Sequence, residues 1–361
     1  MPRRTTAIAA ALSLLPIGQP LLLGSTTALA TAAAVLSTQA AHAQSAEDYV
    51  DRGNAKYRLR DYQGAIADYK KALEINPQYA NAYNNLGLVK YNSGDYQGAI
   101  ADYSKAIEIN PQSALAYKNR GLAKFDLEDY QGAIVDFSKA IAINPQEADA
   151  YTSRSGAKLN LGDNQGALND ANKSIMINPQ DSIAYYNRGS AKNELGDYQG
   201  AIADYTKAIE INPQFAIAHT NRAVSKSNLK DYQGAIADYS KALEINPEDA
   251  IAYTNRGNAK DELKDYQGAI ADYTKAIEIN PQYAIAHTNR GVSKYRLRDY
   301  QGAIADFNKA IEINPQFAFA YSNRGNAKEL VRDLRGACAD WKKASSLGVQ
   351  DAAGWVRKQC Q

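Results

Sequence analysis

Arginine, lysine and aspartate recur along this chain at spacings that invite an acid–base reading. Arg120, Lys124 and Asp136 form one such set, and Arg256, Lys260 and Asp272 repeat it. A single set in one cleft would suit proton transfer or anion binding, because catalysis needs perturbed groups converging at one unusual place. Here the set is copied throughout. Lysine returns in every copy from Lys56 to Lys328 and aspartate from Asp68 to Asp340, while arginine is missing only where Leu86 stands. Chemistry present in every copy reads as scaffold, with cations on one helix paired to a carboxylate on the next, since a partly buried charge must be paired. A serial ligand-binding ladder is the other use of the same residues.

The remaining reactive side chains are few. His219 and His287 occupy the same aromatic slot in copies too far apart to share a metal ion, and no cysteine or aspartate cluster lies beside them at ligand spacing. They read as packing residues. Cys338 and Cys360 are the two cysteines. They would form either a disulfide that staples the end of the chain or a buried reduced pair. No glycine-rich phosphate loop, nucleophile elbow or metalloprotease helix appears. Catalytic residues, metal ligands and cofactors are therefore all expected to be absent, and the chain is expected not to be an enzyme.

The elements that position these residues emerge from a period. Pro77, Pro111, Pro145, Pro179, Pro213, Pro247, Pro281 and Pro315 stand 34 residues apart without a slip. A strict period of this length marks stacked units, none of which buries its apolar face alone. In residues 250–283, Ala252, Tyr253, Arg256, Gly257 and Lys260 recur at helical spacing, so a first helix ends near Leu263. Lys264-Asp265 makes the turn, and Asp265 is placed to cap the second helix. Ala269, Ile270, Tyr273, Ala276 and Ile277 form the stripe of that helix, which Asn280-Pro281 ends. Each copy is a helical hairpin.

The order of aromatic, Gly, Ala, aromatic, Ala and Pro resembles the tetratricopeptide repeat, as at Tyr83, Leu86, Gly87, Ala99, Tyr103, Ala106 and Pro111. The resemblance implies an all-α, right-handed superhelical solenoid of about nine repeats. These run 46–79, 80–113, 114–147, 148–181, 182–215, 216–249, 250–283, 284–317 and 318–351, with a capping helix over 352–361. Two details carry expectations. A glycine opens every second helix, from Gly64 to Gly336, and close helix approach is the expected reason. Repeat four has Asn164, Ala171 and Ser174 where Tyr, Tyr and Ala are usual, which predicts a soft joint.

Residues 1–43 differ from the rest. Pro2-Arg3-Arg4 is followed by an uncharged apolar stretch from Ala7 to Leu36, then by Ala41-His42-Ala43 with small residues where a signal peptidase cuts. This predicts a cleaved export signal. The alternative is an uncleaved anchor, although Pro16, Gly18, Pro20 and Gly24 leave no clean membrane span. Without this segment the basic and acidic residues balance at 39 each, so nothing points to nucleic acid or to a charged lipid surface. Runs of Asp-Tyr-Gln-Gly-Ala-Ile-Ala-Asp-Tyr resemble repeat proteins common in cyanobacteria. Export then implies a periplasm, a thylakoid lumen or secretion.

The resemblance also implies a binding face made of first helices, with a peptide or partner helix as ligand. Carried over position by position, it gives a strip of Ile183, Ile217, Ile251, Ile285 and Phe319, with Val224 and Val292 nearby. Thr220, Thr254, Thr288 and Ser322 would supply hydroxyls, and Glu194, Asp261, Glu262 and Glu329 an acidic tint. Packing between repeats is the competing use of the second-position residues. The carboxylate clamp of chaperone-binding relatives is not expected. Asn54 and Asn85 are present, but Val50, Leu115 and Asn119 stand where cations are required, and Leu122 stands where Lys118 would need an asparagine after it. The expected role is a protein-binding scaffold in assembly of an envelope or lumenal complex, or a membrane-anchored assembly factor if the leader stays.

Overall fold

Apolar positions at helical spacing, broken every 34 residues by Asn-Pro, leave the chain one way to bury its surface, as helices in pairs. The computed structural model describes residues 45–360, and the expected leader lies outside them. The described residues form two compact bodies that divide after Leu195.

The first body holds α1 (Ala46–Arg58), α2 (Tyr62–Ile75), α3 (Ala80–Asn92), α4 (Tyr96–Ile109), α5 (Ala114–Asp126), α6 (Tyr130–Ile143), α7 (Ala148–Asn160), α8 (Asn164–Ile177) and α9 (Ser182–Glu194). The second holds α10 (Tyr198–Ile211), α11 (Ala216–Asn228), α12 (Tyr232–Ile245), α13 (Ala250–Glu262), α14 (Tyr266–Ile279), α15 (Ala284–Arg296), α16 (Tyr300–Ile313), α17 (Ala318–Leu330), α18 (Leu334–Ser346) and α19 (Gln350–Gln359). All described secondary structure is helical. Within each body, a second helix packs on the first helix before it and on the first helix after it.

The turns explain the boundaries. Each first helix ends on a left-handed residue, glycine at Gly94 and Gly162 but a long polar chain at Arg60 and Lys264, with φ of 60° and 64°. The adjoining aspartate then caps the next helix: Asp61 accepts from the Gly64 N–H at 2.9 Å, and Asp265 does the same for Gly268. This corrects the expectation about the opening glycines. A Cβ on Gly64 would overlap the Asp61 carboxylate itself, so the glycine makes room for its own cap rather than for a neighbouring helix. At the far end, Asn76 is held extended before Pro77, and its side chain accepts from the Gln78 N–H at 3.0 Å.

The core is built from small residues under rings. Ala82, Ala116, Ala218 and Ala252, all third in their repeats, are fully buried. In repeat one the third residue is Asp48, which closes a capping box with Ser45 at the exposed start of α1. The Tyr69, Tyr103 and Phe137 rings lie against Gly53, Gly87 and Gly121. Repeat four exchanges both partners. Ser155 replaces the glycine and donates to the Ala167 carbonyl at 2.8 Å, while Ala171 replaces the ring, and both are fully buried. Gly156 comes next, and α7 and α9 approach more closely than first helices do elsewhere. Thr152, Ser174 and Asp181 link by hydrogen bonds beneath them, and Asn187 donates to the Thr152 carbonyl at 3.0 Å. The expected soft joint is instead a close, hydrogen-bonded one.

The chain end departs slightly from expectation too. The cap α19 begins at Gln350, two residues early, which puts Ala352 into the buried third position. Cys338 and Cys360 are joined by a disulfide.

Candidate functional site

The charged set found in the sequence is a built structure. In repeat three, Arg120 Nε and Nη2 donate to the two Asp136 oxygens at 2.9 and 2.7 Å, and Lys124 Nζ lies 2.7 Å from Oδ2. Repeats one, four, six, seven, eight and nine hold the same triad, for example Arg256, Lys260 and Asp272. The fork of arginine matches both carboxylate oxygens, and the lysine adds a third donor. Burial works against the Asp68 carboxylate, but Arg52 and Lys56 more than offset it and hold its pKa below the usual range.

A fourth member escaped the sequence reading. Nη1 of the later arginines reaches back one repeat to the residue two after the aspartate. Arg120 donates to Ser104 at 3.0 Å, Arg222 to Thr206 at 3.0 Å and Arg324 to Asn308 at 2.6 Å. Such a triad ties its hairpin internally and to the hairpin before it. Repeat two is the exception. Leu86 replaces the arginine, and Lys70 stands where the acceptor would be. Asp102 keeps only Lys90, at 2.6 Å, and burial pushes its pKa up.

The histidines sit in the tyrosine slot, both buried. His219 Nε2 lies 3.3 Å from the Pro213 carbonyl and His287 Nε2 3.2 Å from that of Pro281. In seven repeats a tyrosine fills this slot, and an arginine lies over several of those rings, as Arg256 does 5.4 Å from the Tyr253 centroid. Burial lowers the pKa of both histidines.

The expected binding strip divides between the two bodies. Ile183 is half-buried on α9 of the first. In the second, Ile251 and Phe319 are 59% and 65% exposed, Ile217, Ile285, Val224 and Val292 are half-buried, and all lie on first helices. The hydroxyls behave differently from expectation. Thr254 and Thr288 are buried and donate to Ala250 and Ala284 carbonyls in their own helices, so neither offers its proton to a ligand, and Ser322 is buried as well. Thr220 remains partly exposed. The acidic tint is part-neutralised, because Asp261 lies 3.2 Å from Arg296 and accepts from Ser293 at 2.7 Å. At the places of a carboxylate clamp, Asn85 donates to Asn54 at 3.0 Å and Lys118 is held by Glu147 at 2.5 Å.

A sequence profile of the tetratricopeptide repeat matches 80–113, 114–147, 182–215, 216–249, 250–283 and 284–317, and a related one matches 53–94. The matched segments pass over 148–181, the repeat with exchanged residues. A comparison with curated proteins finds no match. Among solved structures, a crystal structure of MamA protein is 31% identical, covering 47% of this chain and 93% of its own at a TM-score of 0.43. A tetratricopeptide repeat protein from Parabacteroides merdae is 20% identical, covering 69% and 98% at 0.54. The Cut9–Hcn1 assembly of the APC/C is 14% identical, covering 93% and 82% at 0.54, and these last two share the fold. With the profile spanning most of the described repeats, the chain belongs to the tetratricopeptide repeat family.

Proposed function

We propose that this protein is a non-enzymatic scaffold that binds a peptide or protein segment on the first helices of its second body. The observation that carries this reading is the exposure of Ile251 and Phe319. Large apolar side chains held in water on ordered first helices, with half-buried Val224 and Val292 on the first helices next to theirs, suit an apolar partner. The charged triads are consumed in holding the hairpins, which leaves them no catalytic task. We further propose that the chain is exported and that its apolar leader is removed before Gln44, giving it an envelope or lumenal complex to help assemble. Among the described residues no helix is long and apolar enough to cross a membrane.

Peptide-display selection on the full mature chain tests the binding face. Selected peptides should be apolar-rich and should lose about tenfold or more in affinity to an Ile251→Glu, Phe319→Glu variant, since the loss of two apolar anchors is a hot-spot-sized change. Equal binding to both proteins, with both folded, rejects this face. N-terminal sequencing of the protein from its native cell tests the leader: a start at Gln44 supports export with cleavage, and a retained start rejects it.

A further inference from the structure

The last helix is short and has no side-chain cap, and a covalent bond ties it to the helix before it. α19 has ten residues, a length at which an isolated helix is marginal in water. Its N-cap, Val349, supplies no side-chain hydrogen bond. Gly354 sits in its interior, where an added Cβ would meet nothing within 4 Å, so no packing need explains the loss of helix propensity. Elsewhere an arginine at the seventh position reaches back to the preceding second helix, and a lysine stands at the eleventh. With Ala352 in the third position, Val356 and Cys360 stand in those two places, and Cys360 is bonded to Cys338 on α18. Cys338 itself replaces the isoleucine or leucine of the other repeats. The disulfide thus ties α19 to the preceding second helix as the arginines tie other first helices, but from a place four residues further along α19 and four residues earlier on α18.

What the cap covers is apolar. Trp341 is 1% exposed and packs with Ala337, Ala344 and Ala352, and its ring centroid lies 5.7 Å from that of Trp355. Both cysteines remain partly accessible, which a thiol needs in order to reach the sulfur.

We propose that Cys338–Cys360 is a redox latch: oxidised, it holds α19 over Trp341, and reduced, it lets α19 leave while the hairpins stay folded. A dithiol reductant drives the step. One of its thiolates attacks a sulfur of the bond, forming a mixed disulfide and releasing the other cysteine as a thiolate. Its second thiol then displaces the remaining cysteine. Two electrons and two protons pass to the protein, and the reductant leaves as a disulfide. The hairpin of α17 and α18 keeps its own tie through Arg324, Lys328 and Asp340, which no reductant touches.

The chain carries its own reporter, since Trp341 and Trp355 are its two tryptophans. Amide hydrogen exchange and tryptophan emission would be followed on the full chain, oxidised and after dithiothreitol. Exchange over 350–360 should quicken by about tenfold or more on reduction, with 196–330 unchanged and emission moved to longer wavelength. Reoxidation should reverse both. A Cys338→Ser, Cys360→Ser variant should behave as the reduced protein under either condition. Unchanged protection of 350–360 after reduction would show that packing alone holds the cap and would overturn the latch. Loss of protection throughout 196–330 would overturn it equally, because the bond would then support the whole body.

Discussion

A methyl group on Gly257 would stand 2.6 Å from Cε1 of Tyr273, so the ring fills the space that the missing side chain leaves. The two residues belong to different helices of one hairpin and work as one fitting. Repeat six shows the tolerance of this fitting, since Ala223 packs there beside Tyr239. Gly257→Ala should therefore be nearly neutral, an overpacking cost of roughly 1 kcal/mol being offset by a similar gain in helix propensity. Gly257→Leu should cost about 3 kcal/mol. Adding Tyr273→Ala to the leucine variant should cost less than the sum of the single changes, and urea unfolding of the three proteins measures the difference.

The aspartates of repeats two and three should respond unequally to the same change. Asp136→Asn leaves Arg120 and Lys124 without their shared carboxylate and should destabilise by about 3 kcal/mol, as the loss of one partner of a buried pair does. Asp102 has one cation in contact and a pKa raised by burial, so Asp102→Asn should cost less than about 1 kcal/mol. A stability gap that failed to appear in thermal melts would show that the arginine fork contributes nothing beyond the lysine.

Repeat two can also be repaired. Leu86→Arg alone places a guanidinium beside Lys70, whereas Lys70→Ser with Leu86→Arg recreates the acceptor found before each later arginine. The double variant should be more stable than the two single effects predict, by about 1 kcal/mol of coupling. A double-mutant cycle with additive effects would deny the backward link a role in joining hairpins.

Acid should loosen the second body before the first. Its two histidines have pKa values lowered by burial, while residues 45–195 contain no histidine. Facing His219 are Arg222, Asp238 and Lys241, and facing His287 are Arg290, Asp306 and Lys309. With Nε2 turned to a proline carbonyl, a second proton would go to Nδ1, which has no hydrogen-bond partner in either residue and lies 4.0 Å from an Asp306 oxygen in His287. A folded pKa below the ordinary value of about 6.5 means that the unfolded chain binds the proton first. Stability is then full above that value and falls as pH drops through it toward the folded pKa. Hydrogen exchange at pH 7.5 and 5.5 should show protection lost in the second body, and His219→Tyr with His287→Tyr should remove the effect. A loss of equal size in both bodies would trace it to carboxylates instead.

Much of this molecule was legible in its period. The proline spacing gave the hairpins, and the recurrence of Arg, Lys and Asp gave the triads, because each is decided within a few residues or by a fixed repeat distance. The backward link from Arg120 to Ser104 was missed, although a signal existed. Ser, Thr or Asn fills that place before each arginine from Arg120 onward, and lysine appears there only at Lys70 and Lys342, with no arginine a repeat later to donate to it. Ala171 read alone implied loosened packing; read with Ser155 it is half of an exchange. The Thr254 and Thr288 hydroxyls were misjudged because a bond to a carbonyl in the preceding turn leaves no trace in the repeat pattern.

Asp48 has a consequence for the protein in a crowded cell. Every other repeat offers alanine at that place, and a second copy stacking onto α1 would have to bury a carboxylate that now faces water. Near-identical repeats are natural building blocks for an endless fibre, since any copy could extend any other. An acidic residue at this place makes the stacking of a further hairpin on α1 unfavourable, because its carboxylate would lose water.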